Sequence, residues 1–221
     1  MADTAKPILN PDIDAIREEV EQLAGKTILW EADADLEARM RATLEADTGQ
    51  LRITYREFSQ DGALEELLHL RLRLRGCPRL DCHPNLGLTT QTHRIIEGIV
   101  HHQVVFPEIH ALGYRPNEDN GILMMLNELT SSTDLDRVTD ERGLEALMAM
   151  TYTRSRLDTD SEDIQRRYDD FFSDSRLHEA KTLGERVCHI VLSRASNQPD
   201  AIRDVYEQCI EALGVEIDIV D

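Results

Sequence analysis

The chain has 221 residues, of which 41% are hydrophobic and 30% charged, so it can bury a core and is not disordered as a whole. Its formal net charge of −19 excludes nucleic acid and anionic membrane surfaces as partners and favours a basic protein or peptide. The sequence carries no signal-peptide pattern and no apolar run near the roughly 18 residues that cross a bilayer. Its four cysteines are sparse, which is typical of reduced thiols. We therefore expect a cytoplasmic protein with a single domain.

The charge is unevenly distributed along the chain. Residues 1–50 carry a net charge of −7 and residues 117–221 one of −13, whereas residues 51–116 carry +1. Six of the eight histidines lie in this central segment: His69, His83, His93, His101, His102 and His110. Because histidine is both a metal ligand and an acid–base group near neutral pH, we expect a functional site within residues 51–116.

Apolar residues recur at helical spacing along most of the chain and predict helices over residues 11–24, 35–47, 92–105, 118–130, 140–157, 161–173, 177–195 and 199–213. Pro107 limits the third of these helices, and Asp140 and Ser161 are expected caps of the fifth and sixth. Alternating patterns predict strands at residues 27–30, 51–58 and 215–220. The predicted fold is mainly α, of the α+β type, with a small β-sheet.

The most informative segment is Leu64-Glu65-Glu66-Leu67-Leu68-His69-Leu70. On a helix, Glu65 and His69 lie one turn apart on one face, and leucines cover the opposite face. A competing interpretation comes from residues 68–75, where leucine strictly alternates with polar residues, as in a strand. Leucine and arginine are strong helix formers without β-branching, so the helix is the favoured prediction.

Glu66 and His69 resemble the glutamate and second histidine of the His-Glu-x-x-His motif of zincin metallopeptidases. The resemblance covers residues 51–106 and implies a strand-helix-helix core. It also implies a zinc ion held by Glu65, His69 and either Glu97 or His101, with Glu66 as the general base. The sequence departs from the motif at position 65, where glutamate replaces the first histidine. A carboxylate ligand acidifies metal-bound water less, so the resemblance implies a weak or inactive peptidase.

Three alternatives remain open for these residues. Glu65, His69 and Arg73 are spaced as an ion-pair ladder on a solvated helix face. His93, Glu97 and His101 share a helix stripe whose ends lie about 12 Å apart, so all three cannot bind one ion, but two neighbours could do so with help from His69. In the competing interpretation, His101 and His102 are partly exposed residues of the polar helix face. A weaker zinc candidate consists of Cys77, Cys82 and His83.

Two hypotheses of function follow. The first is a zincin-like, zinc-binding protein with feeble or absent hydrolase activity. The second is a non-catalytic acidic protein that binds a basic partner, in the manner of an inhibitor or immunity protein.

Overall fold

The computed structural model describes residues 7–36, 39–45, 48–81, 88–116, 118–131, 140–194 and 196–220. Across these ranges most residues are helical and the strands are short, which confirms the prediction of a mainly helical α+β fold. The contacts group the chain into two compact units. The first unit comprises residues 1–77 and 105–117, and the second comprises residues 78–104 and 118–221. That the chain is a single domain stays a prediction.

The first unit combines two helices with a three-stranded sheet. Its elements are α1 (Pro11–Ala24), β1 (Ile28–Ala32), β2 (Met40–Leu44), β3 (Leu51–Tyr55) and α2 (Gln60–Leu74). The central strand is β3, which pairs in parallel with β1 and antiparallel with β2. The buried residues of each strand alternate with more exposed ones, as expected for a sheet with one face covered. Strands β1 and β3 confirm two of the predicted strands.

The helix predicted for residues 35–47 is wrong, because Met40–Leu44 form β2. The apolar residues of this segment also recur with a period of two, and the strand buries Met40 and Ala42 on one face. Pairing with β3 places Ala42 opposite Ile53 and supplies inter-strand hydrogen bonds, so tertiary pairing decides against the local helix propensity.

Helix α2 confirms the helical prediction for the motif segment and excludes the strand alternative for residues 68–75. Its N-terminus is capped by the Ser59 hydroxyl, which accepts a hydrogen bond from the Gly62 N–H at 3.2 Å. The helix buries most of its leucines: Leu64, Leu67, Leu68, Leu70 and Leu72. It ends before Gly76, whose φ of +83° favours glycine.

The second unit consists of a helical array and a two-stranded antiparallel sheet. Its elements are β4 (Arg79–Asp81), the first part of α3 (Leu88–Ala111), α4 (Asp119–Ser131), α5 (Glu141–Leu157), α6 (Glu162–Phe171), a 3₁₀ turn (Ser175–Leu177), α7 (His178–Ser193), α8 (Pro199–Leu213) and β5 (Asp218–Val220). Asp140 and Ser161 cap α5 and α6 through their side chains, as predicted. Strand β5 confirms the predicted final strand and pairs with β4.

Helix α3 is longer than predicted and continues past Pro107 to Ala111. Proline removes one helical hydrogen bond, but it does not end a helix whose next turn is held by packing. Phe106 and Ile109 on either side of Pro107 are both buried, which supplies that packing.

Buried apolar and aromatic side chains form a core around α4, α5 and α6. Its members are Ile122, Leu126, Met148, Tyr152, Ile164, Tyr168, Phe172 and Ala180. The Tyr168 hydroxyl donates a hydrogen bond of 2.9 Å to the carbonyl of Ile122, and this bond satisfies a buried polar group. The core thereby fixes the start of α4 against α6. No helix among the described residues has the length and apolar character needed to cross a membrane.

Candidate metal centre

The residues of the zincin-like motif lie on α2, in the first unit. Glu65, Glu66 and His69 are all half-buried. The helical backbone places Glu65 and His69 one turn apart, as the sequence predicts. The sequence-based roles of Glu65 and His69 as metal ligands stay predictions.

Glu66, the predicted general base, contacts the sheet. Its Oε2 accepts a hydrogen bond of 2.6 Å from the backbone N–H of Ala42 in β2. The bond joins residues 24 positions apart and links α2 to the edge of the sheet. Glu66 therefore has a structural role in the first unit, whatever its role in catalysis.

The other two predicted ligands, Glu97 and His101, lie on the part of α3 that belongs to the second unit. His101 is buried, and its Nε2 forms a hydrogen bond of 3.0 Å with the hydroxyl of Tyr206 in α8. His102 is buried as well, so the alternative that both histidines are partly exposed is wrong. Cys82 and His83, of the weaker candidate with Cys77, lie outside the described residues.

The second unit contains a cluster of three residues that could hold a metal ion: His102, Glu118 and Asp158. A nitrogen of His102 and one carboxylate oxygen each of Glu118 and Asp158 lie within 4.8 Å of one another. His102 Nδ1 and Asp158 Oδ2 are 3.0 Å apart. In the sequence, His102 stands out only as one of the six central histidines and as a helix-face residue, and no motif marks Glu118 or Asp158.

Three elements bring these side chains together. His102 lies on α3, Glu118 directly precedes α4, and Asp158 directly follows α5. The Glu118 carbonyl accepts the N–H of Ile122, and the Asp158 N–H donates to the carbonyl of Arg154 at 3.0 Å. Both carboxylates are therefore held by the ends of helices whose apolar faces pack in the core of the second unit.

Asp158 is the most unusual member of the cluster. The residue is 5% exposed, and both of its carboxylate oxygens are buried. Neither oxygen accepts a hydrogen bond of normal geometry from the described residues, although His102 Nδ1 and Arg154 Nε approach Oδ2 to 3.0 and 3.4 Å. A buried carboxylate normally has its lone pairs engaged by donors or by a metal ion. Asp158 thus has unused acceptor capacity inside the cluster.

Arg154 supplies positive charge to the same cluster. Its guanidinium donates a hydrogen bond to Glu118 Oε2 and lies 3.4 Å from Asp158 Oδ2. Burial alone would lower the pKa of Arg154, but the charges of Glu118 and Asp158 outweigh it and raise that pKa. With neutral His102, the four side chains carry a net charge of −1, which a cation or a proton on His102 can compensate.

The donor set fits a divalent transition metal. One imidazole nitrogen and two carboxylate oxygens are ligands that zinc accepts, and a water completes four-coordination at catalytic zinc sites. Tetrahedral ligands at about 2.0–2.1 Å from zinc are separated by about 3.3 Å, close to the distance between His102 Nδ1 and Asp158 Oδ2. The Glu118 carboxylate oxygen lies within 4.8 Å of the other two ligand atoms.

Comparisons of the chain with protein families, with curated proteins and with solved structures found no match.

Proposed function

We propose that the second unit of this protein binds a divalent metal ion, with zinc as the preferred ion, through His102, Glu118 and Asp158. The observation that carries the proposal is the buried Asp158 carboxylate, whose oxygens accept no hydrogen bond from the described residues. A metal ion would use this acceptor capacity and offset the negative charge of the cluster. Zinc is preferred over magnesium and calcium because one ligand is an imidazole.

Protonation of His102 is the competing way to balance the charge. An imidazolium at this position would sit 3.0 Å from Asp158 Oδ2 as an ion pair. Metal binding and protonation use the same imidazole, so a proton and zinc compete for the cluster. If protonation alone balances the charge, added zinc leaves the melting temperature unchanged, whereas a metal site raises it.

The direct test is thermal unfolding with and without zinc after treatment with a chelator. A free zinc concentration of 100 times Kd stabilises the folded state by about 2.7 kcal/mol, or roughly 5–10 °C for a chain of this size. We expect this shift in the wild type and its loss in Asp158→Asn and His102→Gln. His178, an exposed histidine of the same unit, offers a matched control in His178→Ala, which should keep the shift. A wild-type melting temperature that does not respond to zinc would overturn the proposal.

The resemblance of α2 to zincins supports a further proposal, that the protein is a zincin-like peptidase of weak or lost activity. In this proposal Glu65 and His69 bind zinc, and Glu66 is the general base. The helical spacing of Glu65 and His69 is the supporting observation. The hydrogen bond from Ala42 to Glu66 favours the inactive form, since it engages an oxygen that a general base would use to take a proton. Peptide hydrolysis by wild type, Glu66→Gln and Glu65→His, each with zinc, tests this. Robust hydrolysis that survives Glu66→Gln would exclude Glu66 as the base.

The alternative function is binding of a basic protein, and it is supported by the net charge of −19. Helix α6 carries four acidic and two basic residues, and Glu162 and Asp170 are acidic side chains exposed on it. Such an interaction should weaken steeply between 50 and 300 mM salt, because surface charges are screened beyond a Debye length of about 10 Å at 0.1 M. Capture of basic proteins that salt does not release would contradict this alternative.

A further inference from the structure

Arg154 contacts two of the three residues that we propose as metal ligands. Its Nη2 donates to Glu118 Oε2, and its Nε lies 3.4 Å from Asp158 Oδ2. Arg154 and Asp158 are one helical turn apart at the end of α5, while Glu118 precedes α4. The guanidinium therefore bridges the end of one helix and the start of another through the carboxylates that a metal ion would use.

We propose that Arg154 is an internal competitor of the metal ion, a cation that neutralises Glu118 and Asp158 in the metal-free protein and is exchanged for the metal when it binds. This inference rests on the proposed metal site. It assigns to Arg154 the control of metal affinity, through its charge and not through ligation, because arginine cannot be a metal ligand in its charged form.

The physical basis is repulsion between two cations at one pair of carboxylates. A metal ion placed among His102, Glu118 and Asp158 lies within a few ångströms of the guanidinium, in an environment only partly accessible to water. At such distances, two positive charges repel strongly, and the repulsion is weakly screened by salt. Arginine is not deprotonated in proteins, so Arg154 cannot relieve the repulsion by losing a proton.

The contact between α4 and α5 does not depend on Arg154 alone. The Thr159 hydroxyl, one residue beyond Asp158, donates a hydrogen bond to Asp119 Oδ1 at the start of α4. This second bond ties the same two helix ends and involves no metal ligand. The Arg154 guanidinium can therefore leave one or both carboxylates while the helices stay joined.

The test compares zinc affinity in the full-length protein with that of Arg154→Gln, measured by competition with a zinc-chelating dye. We expect Arg154→Gln to bind zinc at least about tenfold more tightly than the wild type, and to melt at a lower temperature in the presence of chelator. The opposite signs of the two effects distinguish a competitor from a residue that merely supports the fold, since general loosening of the site would weaken binding.

Two further variants control the interpretation. Arg154→Lys keeps the positive charge and should retain affinity within a few-fold of the wild type, even if Arg154→Gln is too unstable to purify. Arg156→Gln removes a second arginine of α5, which pairs with Asp169 and is exposed to a similar extent, 23% against 21% for Arg154. It should lower stability without changing zinc affinity.

The outcomes separate this inference from the proposed function. Zinc binding by the wild type with equal or weaker binding by Arg154→Gln overturns the competitor role alone. Tighter binding by Arg154→Lys to the same extent as by Arg154→Gln also overturns it, because lysine keeps the charge. Failure of every variant to bind zinc overturns both proposals. Binding by Arg154→Gln alone also overturns both, because the wild type would then never exchange Arg154 for the metal ion.

Discussion

Glu66 Oε2 accepts a hydrogen bond from the backbone N–H of Ala42 over 2.6 Å, which ties the motif helix to the edge strand of the first unit. Ala42 belongs to the segment for which sequence periodicity wrongly predicts a helix. The bond exists only because Met40–Leu44 form a strand that presents this N–H to α2. Through this bond Glu66 stabilises the first unit, and this contribution can be measured apart from any role in catalysis.

The first prediction separates these two roles with two substitutions at Glu66. Glutamine keeps an oxygen that can accept a hydrogen bond from the Ala42 N–H. The free energy of unfolding of Glu66→Gln should therefore lie within about 1 kcal/mol of the wild-type value. Glu66→Ala leaves that N–H without its acceptor and should lose about 1–3 kcal/mol. Urea unfolding of the three proteins measures both values. Equal losses in the two variants would show that the negative charge of Glu66, and not its acceptor oxygen, stabilises the first unit.

The second prediction concerns the close approach of α5 and α7. A Cβ at Gly184 would lie 2.7 Å from the carbonyl oxygen of Ala149 and 2.8 Å from Cδ1 of Tyr152. Because backbone atoms cannot move aside cheaply, Gly184→Ala should destabilise the protein by about 1–3 kcal/mol.

Gly98 on α3 provides the matched control for Gly184. A Cβ there would meet only His102 Cε1, at 3.9 Å, which is an ordinary contact. Gly98→Ala should therefore stabilise the helix by about 0.5–1 kcal/mol through its higher helix propensity. Thermal unfolding of both variants tests the pair, and a neutral Gly184→Ala would mean that α5 and α7 are not so closely packed.

The third prediction concerns alkaline pH and the buried thiol of Cys209. Burial, assisted by the nearby Cys188, raises the pKa of Cys209 from about 9 to about 12. Above pH 9 the unfolded chain loses this proton while the folded chain keeps it, so Cys209 favours unfolding as pH rises from 9 towards 12. The stability difference between wild type and Cys209→Ala should shrink by about 1–2 kcal/mol between pH 8.5 and 10.5. Urea unfolding at both pH values measures it, and a constant difference would refute the raised pKa.

The fourth prediction concerns protons released when zinc binds. A histidine ligand must be neutral, so a proton and zinc compete for His102 and zinc affinity should fall as the pH is lowered from 7 to 5.5. Calorimetry in buffers of different ionisation enthalpy should report a proton release on zinc binding that is smaller in His102→Gln. A site made of carboxylates alone would keep its affinity over this range. The same proton release by the wild type and by His102→Gln would contradict His102 as a ligand.

Local sequence signals are enough to predict the fold class and most of the helices. Long apolar repeats define α1 and α4 to α8, and capping residues such as Asp140 and Ser161 mark where two of them begin. These signals are local, because a helix forms its backbone hydrogen bonds within one segment. The alternation that predicted β3 was also readable, since buried residues of this strand alternate with more exposed ones.

Strand β2, the extent of α3 and the candidate metal centre depend on contacts between segments that are distant in sequence. Strand β2 depends on pairing with β3, and α3 passes Pro107 because its last turn is packed. His102, Glu118 and Asp158 lie on three different elements, separated by 16 and 40 residues in sequence, so no spacing rule could join them. Their convergence, and the placement of Arg154 between two carboxylates, follow from helix packing around a shared core. Packing of this kind is a property of the folded chain and leaves no periodic trace in its sequence.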